Sequence, residues 1–304
     1  VKCQQFTTWE RAKIELILPA EAQSGIIILG DTAAIPLELE SEIELQVVLP
    51  SVDKVLDLTN KKPGAVITIP GKDLDLVSSI ELPSGAVVPF SIVNSALVFT
   101  LPEDVTDGAI VMIPASNVRV AIANIGIAIP SELVAEPATG LRGGDVITVK
   151  GLNMELVTKV VFPGVTNAVT PNSKSATEIK VTIPDNAKSG NLVLNTASGK
   201  TASVTIVTLK PDVVAYNPSP VAAGSDVELQ GHNFDLVASV TFGGDKTVNV
   251  TPSAADKLKV KVPVDAESGA VYLTMKNGET VACDALEITK PVFCYIPVLP
   301  GSDV

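Results

Sequence analysis

Short runs of alternating apolar and polar residues fill this chain, and no long amphipathic helical pattern competes with them. Val66-Ile67-Thr68-Ile69, Val146-Ile147-Thr148-Val149 and Val227-Glu228-Leu229 have the two-residue period of half-buried strands. Each run leads into the same corner: Gly71-Lys72-Asp73-Leu74, Gly151-Leu152-Asn153-Met154 and Gly231-His232-Asn233-Phe234. The glycine reads as a residue tolerant of backbone angles closed to others, and Asp73, Asn153 or Asn233 as the turn former. The apolar Leu74, Met154 or Phe234 is expected to plug the end of a core. An acidic residue follows (Asp75, Glu155, Asp235), and the chain re-enters a strand at Ile80-Glu81-Leu82, Val160-Val161-Phe162 and Val240-Thr241-Phe242.

The corner glycines lie 80 residues apart both times. A second signature, a proline closing a strand with a glycine six residues on, recurs as Pro102 and Gly108, Pro184 and Gly190, and Pro263 and Gly269. Leading prolines at Pro50, Pro130, Pro211 and Pro291 follow the same period. Repetition of this kind fixes fold and domain count together. It predicts whole units at 49–129, 130–209 and 210–289, the back half of a unit at 1–48, and the start of another at 290–304. In the first segment Pro19 and Gly25 repeat the second signature, and Ile14, Leu16 and Leu18 align with Leu258, Val260 and Val262. Trp9 then falls at the position of Ser253, in the turn before that strand, and Ile43-Glu44-Leu45-Gln46-Val47 is expected as the last strand. Only one or two residues join successive units, so the array is expected to be an elongated, semi-rigid rod.

Composition narrows the function classes. The net charge of −12 argues against nucleic acid and anionic membrane surfaces as partners, and no apolar run is long enough for a transmembrane segment. The single histidine, His232, sits inside the repeated corner, where an exposed turn position is expected, and has no second histidine to share a metal. The recurring acids offer too few oxygen ligands for calcium and read as solvated turn carboxylates. No nucleophile–base set, phosphate loop or carboxylate pair can be assembled, so neither catalytic residues, a metal nor a cofactor is expected, and an enzyme is the least favoured class. Three cysteines, Cys3, Cys283 and Cys294, are too few for a disulfide framework.

Aromatic residues make up only 4% of the chain. Sugars stack their C–H faces on flat exposed rings. Phe162, Phe234 and Phe242 occupy core positions of the repeat, which leaves Trp9, Tyr216, Tyr272 and Tyr295 as platforms. Trp9 is the best single candidate because it replaces a serine of the regular unit. Cys3, Phe6, Phe293 and Cys294 lie in the two terminal half-units, which offer a route to head-to-tail self-association by strand donation.

The third unit resembles the IPT/TIG family of immunoglobulin-like domains in Tyr216-Asn217-Pro218, Gly224, Gly231-His232-Asn233-Phe234, Phe242-Gly243-Gly244, Pro263 to Gly269 and Asn277-Gly278. The second matches through Pro137, Gly144, Asn153-Met154 and Phe162-Pro163-Gly164, and the first is degenerate, with Leu82-Pro83-Ser84-Gly85 at the last of these steps. The resemblance implies an all-β chain of tandem two-sheet sandwiches. Such arrays are similar to the stalks of bacterial surface proteins, and the turns and Lys-Pro junctions resemble those of Bacteroidetes surface lipoproteins that hold a glycan-binding domain off the outer membrane. The expectation is therefore an extracellular, non-catalytic spacer or scaffold of a glycan-binding or adhesion protein, anchored to the outer membrane in its parent. The alternatives are a module that itself binds a polysaccharide or surface protein, and a filament subunit.

Overall fold

A computed structural model of the chain describes residues 1–10, 12–31 and 37–290. Their regular structure is β-strands and three single turns of 3-10 helix. The chain divides into two compact units, one of Val1–Ile129 with the hairpin tip Thr196–Lys200, the other from Pro130 onward without that tip.

The first unit holds one sandwich. Its four-stranded sheet runs in the order Phe90–Val93, Ala96–Thr100, Val66–Lys72, Ser51–Val52. Its five-stranded sheet runs Leu56–Lys61, Val120–Ile127, Gly108–Pro114, Val77–Glu81, Val87–Val88. All ladders are antiparallel except Leu56–Lys61 against Val120–Ile127, where the opening segment has crossed to the second sheet and lies parallel to the last strand. That crossing is the immunoglobulin-like arrangement. Alternation sends Ile67, Ile69, Leu97, Phe99, Ile80, Ile110, Met112 and Ile122 into one core, each no more than 3% exposed.

The second unit repeats this construction twice. One sandwich pairs Ser131–Glu136, Val146–Leu152, Glu178–Thr182 and Ser173–Lys174 over the sheet Val157–Val161, Gly190–Thr196, Thr201–Ile206. The other packs Asp212–Asn217, Asp226–His232 and Lys257–Lys261 against Lys246–Asn249, Val237–Gly243, Glu267–Met275 and Thr280–Leu286. The parallel crossing recurs as the bridge Leu141 to Thr208 and as the pairing of Val221–Ala222 with Ile288–Thr289. Each sandwich closes its own core, with Phe162 in one and Phe234 and Phe242 in the other almost wholly buried. Tandem immunoglobulin-like sandwiches are therefore the fold.

The repeated corner works differently from the sequence expectation. The glycines are not there for unusual angles: Gly71, Gly151 and Gly231 are absent from the positive-φ residues. They are there because a neighbouring strand crosses directly over them. A Cβ at Gly231 would stand 2.0 Å from the Asp212 carbonyl oxygen; at Gly151 it would be 2.6 Å from that of Ser131, and at Gly71 2.3 Å from that of Ser51. The left-handed step falls on the next polar residue instead, with φ of 53° at Asp73, 58° at Asn153 and 59° at Asn233. Asn and Asp are the non-glycine residues that accept it most readily. The step starts one turn of 3-10 helix that drops Leu74, Met154 or Phe234 into the core. Burying a side chain such as Phe234 is worth roughly 2–3 kcal/mol.

The N-terminal segment departs from the expected half-unit. Lys13–Leu16 pairs with Phe6–Glu10, and Trp9 lies within that strand opposite Ile14 rather than in a turn. Residues 43–47 form no strand; Leu45 makes an isolated bridge to Gly25, and a small ribbon forms from Ile28–Gly30 and Glu38–Glu40. Ile14 and Leu18 are 38% and 41% exposed, whereas their aligned counterparts Leu258 and Val262 are 3% and 0% exposed. The alternation survives, but among the described residues no second sheet covers these ribbons. The segment meets the first sandwich through Gln23, whose Nε2 donates to the Ser116 carbonyl at 2.6 Å.

Replacing Gly231 by alanine is expected to cost the third sandwich at least ~2 kcal/mol, because the added methyl meets a fixed carbonyl. Gly126→Ala, whose Cβ would find its nearest atom at 3.7 Å, is expected to change little. Amide hydrogen exchange across Asp226–His232 and across Val120–Ile127 reads the two effects separately.

Candidate functional site

Two places in the described residues gather side chains that could act on something else: an aromatic face on the N-terminal ribbon and a polar junction in the second unit.

The aromatic face depends on a register break. Phe6 pairs with Leu16, Thr8 with Glu15 and Trp9 with Ile14, so one residue, Thr7, bulges from the ladder. Strict alternation would put Phe6 and Trp9 on opposite faces; the bulge puts them on one, beside Leu16 and Ile14. The rings meet edge to face, with centroids 5.0 Å apart and planes at 86°. Trp9 is 63% exposed and Phe6 46% exposed. The opposite face is polar. Thr8 Oγ1 donates to Glu15 Oε2 at 2.7 Å and Lys13 Nζ lies 2.5 Å from Glu15 Oε1. Lys13, then Thr8, hold the Glu15 carboxyl below its ordinary range. The ribbon thus presents an exposed indole in edge-to-face contact with a phenyl ring.

The other sequence candidates behave differently. Tyr216 is half-buried, and its hydroxyl donates to the Asp284 carbonyl at 2.7 Å, which ties it into the third sandwich. Burial first, then the charges of Cys283 and Asp284, push its phenol well above the ordinary range. Tyr272 is 43% exposed on the outer face of its sheet, between Thr241 and Ala282. It has no aromatic neighbour among the described residues. Cys3 is a half-buried free thiol. Tyr295, Phe293 and Cys294 lie outside the described residues. His232 ends its strand with its side chain 69% exposed, and Nδ1 stands 3.1 Å from each carboxylate oxygen of Asp212.

The junction between the second and third sandwiches was not anticipated. Arg142 reaches across it: Nη1 donates to Asp235 Oδ2 at 2.5 Å and Nη2 to Asn233 Oδ1 at 2.9 Å. Asn233 Nδ2 in turn donates to the Lys210 carbonyl at 3.0 Å. Asp235 is therefore an ion-pair partner, not the solvated turn carboxylate expected from sequence. A second contact lies alongside. Asn277 Nδ2 donates to the Ala187 carbonyl at 2.9 Å, and Glu279 Oε2 accepts from Thr208 Oγ1 and Asn277 Nδ2, both at 3.0 Å. Between the two contacts opens a cleft of about 380 Å³, lined by Leu141, Asp185, Leu236, Met275 and Lys276 among others. The partners across the junction lie 71 to 93 residues apart, so no local motif announces them.

Among the described residues no group of three or more His, Cys, Asp or Glu side chains gathers as a metal site would need, and no helix is long and apolar enough to cross a membrane. No family model matches the chain, and no curated protein matches it. Solved structures do. One is a protein crystallised with xylogluco-oligosaccharide, at 21% identity and a TM-score of 0.28 over 78% of this chain and 59% of that one. A second is the SGBP-B of the mixed-linkage glucan utilization locus of Bacteroides ovatus, in complex with mixed-linkage heptasaccharide, at 17% identity and a TM-score of 0.24 over 79% of this chain and 70% of that one. A third is a tandem from titin, at 6% identity and a TM-score of 0.29 over 80% of this chain and all of that one (100%). The chain spans 59% of the length of the first. At such identities the likeness goes no further than tandem sandwiches, which the strands above establish by themselves.

Burial, and behind it Asp284 and Asp212, push the Cys283 thiol up to about 11. A raised value leaves less thiolate at pH 8, so alkylation of Cys283 by iodoacetamide is expected to run about a hundredfold slower than that of an ordinary thiol and to recover as the pH approaches 11. Peptide mass mapping after timed quenching measures this.

Proposed function

We propose that this chain is a non-catalytic part of a bacterial cell-surface protein that captures glycan or adheres, and that its sandwiches act as spacer and scaffold. The observation that carries this reading is the second unit's junction. Two sandwiches with separately closed cores are joined through buried Pro211 and held by side-chain hydrogen bonds on both sides of a cleft. Proline fixes the linker's φ, and the paired contacts restrict what freedom remains. A module that only needed to be folded would not need a fixed angle to its neighbour; a module that must hold another part at a set distance would. The surface location and the outer-membrane anchoring of the parent belong to the same proposal. The glycan complexes named for two of the structural neighbours are properties of those proteins.

Residual dipolar couplings of the full chain in a dilute aligned medium test the spacer role. One alignment tensor is expected to fit the amides of the second and third sandwiches together. Two unrelated tensors would mean independent tumbling and would remove the reading.

A second reading, direct glycan binding, is favoured by the exposed Phe6–Trp9 face. Under it Trp9→Ala abolishes retardation in a polysaccharide affinity gel. Phe6→Ala weakens it less, and Tyr272→Ala leaves it unchanged. If the same apolar face instead covers another protein molecule, light scattering over a concentration series shows growth in mass that Trp9→Ala reverses.

A further inference from the structure

We infer that Arg142 is a latch that sets the angle of the third sandwich on the second, and that releasing it frees the third sandwich to pivot. The inference rests on the spacer reading and names the residue on which that reading depends.

Three observations lead to it. First, the root of Arg142 is fixed. Its backbone N–H donates to Asp145 Oδ2 at 3.1 Å, the Asp145 N–H returns a bond to the Arg142 carbonyl at 3.3 Å, and adjacent Gly143 runs so close to Asp185 that a Cβ would sit 2.6 Å from the Asp185 Cα. The loop's backbone is thus already ordered when the head binds, and only the side chain's own rotamers are lost on binding. Second, its targets are the rigid corner of the next sandwich. Asn233 is the left-handed residue that starts the 3-10 turn, and Asp235 lies within that turn, which is pinned by Phe234 in the core. A planar guanidinium addresses two acceptors at once, as an ammonium cannot. Third, Asn233 also binds the Lys210 carbonyl of the linker, so one side chain couples the latch to the covalent joint.

The contact through Asn277, Thr208 and Glu279 lies on the other side of the cleft. With both contacts made, rotation about the linker is blocked in either sense. With Arg142 removed, one contact and the linker remain, which together define an axis. The Arg142 and Asp235 side chains are 35% and 39% exposed, so concentrated salt reaches the pair and weakens it.

The test uses the full chain and the same dipolar couplings. In the wild type one tensor fits the second and third sandwiches. In Arg142→Ala the couplings are expected to need two tensors, while those within each sandwich still fit its own and amide protection of both cores is unchanged. Asn233→Gly, which keeps the left-handed step but deletes the acceptor, and Asp235→Asn are expected to loosen the junction without unfolding either core, and serve if Arg142→Ala folds poorly. Arg142→Lys recovers only part of the order. Arg119→Ala, which removes the exposed pair with Glu81 in the first sandwich, leaves the shared tensor intact. A single tensor retained in Arg142→Ala, Asn233→Gly and Asp235→Asn overturns the latch and leaves the spacer reading standing. Two tensors already in the wild type overturn the spacer reading itself.

Discussion

Every sandwich in this protein depends on one close approach: the opening strand crossing over a glycine at the end of the next. At Gly71, Gly151 and Gly231 the space a Cβ would fill holds a backbone carbonyl oxygen. Backbone cannot yield as a flexible side chain can, so hydrogen is the only substituent that fits. The crossing brings the first strand into register with the second, as in Val213 opposite Gly231 and Asp212 opposite His232. It also leaves the chain just before a left-handed step at Asn233, and that step delivers Phe234 to the core end. Glycine, asparagine and phenylalanine in this corner are consequences of one packing event rather than three separate preferences.

The same corner has a second use. Because the 3-10 turn is held by a buried plug, its outward residues are among the best-positioned polar groups on the sandwich. In the third sandwich those residues, Asn233 and Asp235, receive Arg142. A motif that closes one core therefore also presents a fixed docking point to the preceding domain. Coupling through polar groups has a further merit in a tandem array. An apolar junction would have to remain exposed whenever one domain folded before its neighbour, and adjacent like sequences would then associate wrongly. Closed cores joined by hydrogen bonds avoid that exposure.

Much of the fold was legible because it is periodic. The strands, the plug residues and the buried phenylalanines repeat in sequence as they repeat in space, so alternation and spacing expose them. The reason for the glycine was not legible: a close approach depends on which strand lies above it, and sequence order does not say. The N-terminal segment misled through the same regularity. Ile14, Leu16 and Leu18 keep the alternation of a core strand, yet alternation records only that one face is apolar, not that a second sheet covers it. Phe6 and Trp9 were separately visible as aromatic residues, but their union on one face hangs on a single bulged residue, Thr7. Arg142 carried no local signal at all, since its partners stand more than 90 positions away and its own loop reads as an ordinary Gly-Gly turn.

The two candidate sites differ in what their physics can support. Exposed aromatic rings at Phe6 and Trp9 gain free energy from any ligand with a flat apolar face, because the water they release is released whatever covers them. Such a face is permissive, and its selectivity must come from neighbouring polar groups; Thr8, Lys13 and Glu15, the groups nearest in the ribbon, are committed to one another on its far side. The junction is the reverse. Apart from the buried, unpartnered Asp235 Oδ1, the donors and acceptors that span it are directional and paired with one another, so it discriminates sharply between one relative pose and others. A permissive contact surface and a stringent joint are complementary demands on a protein that holds something in place: the first tolerates variety in what is touched, the second tolerates almost none in where it is presented.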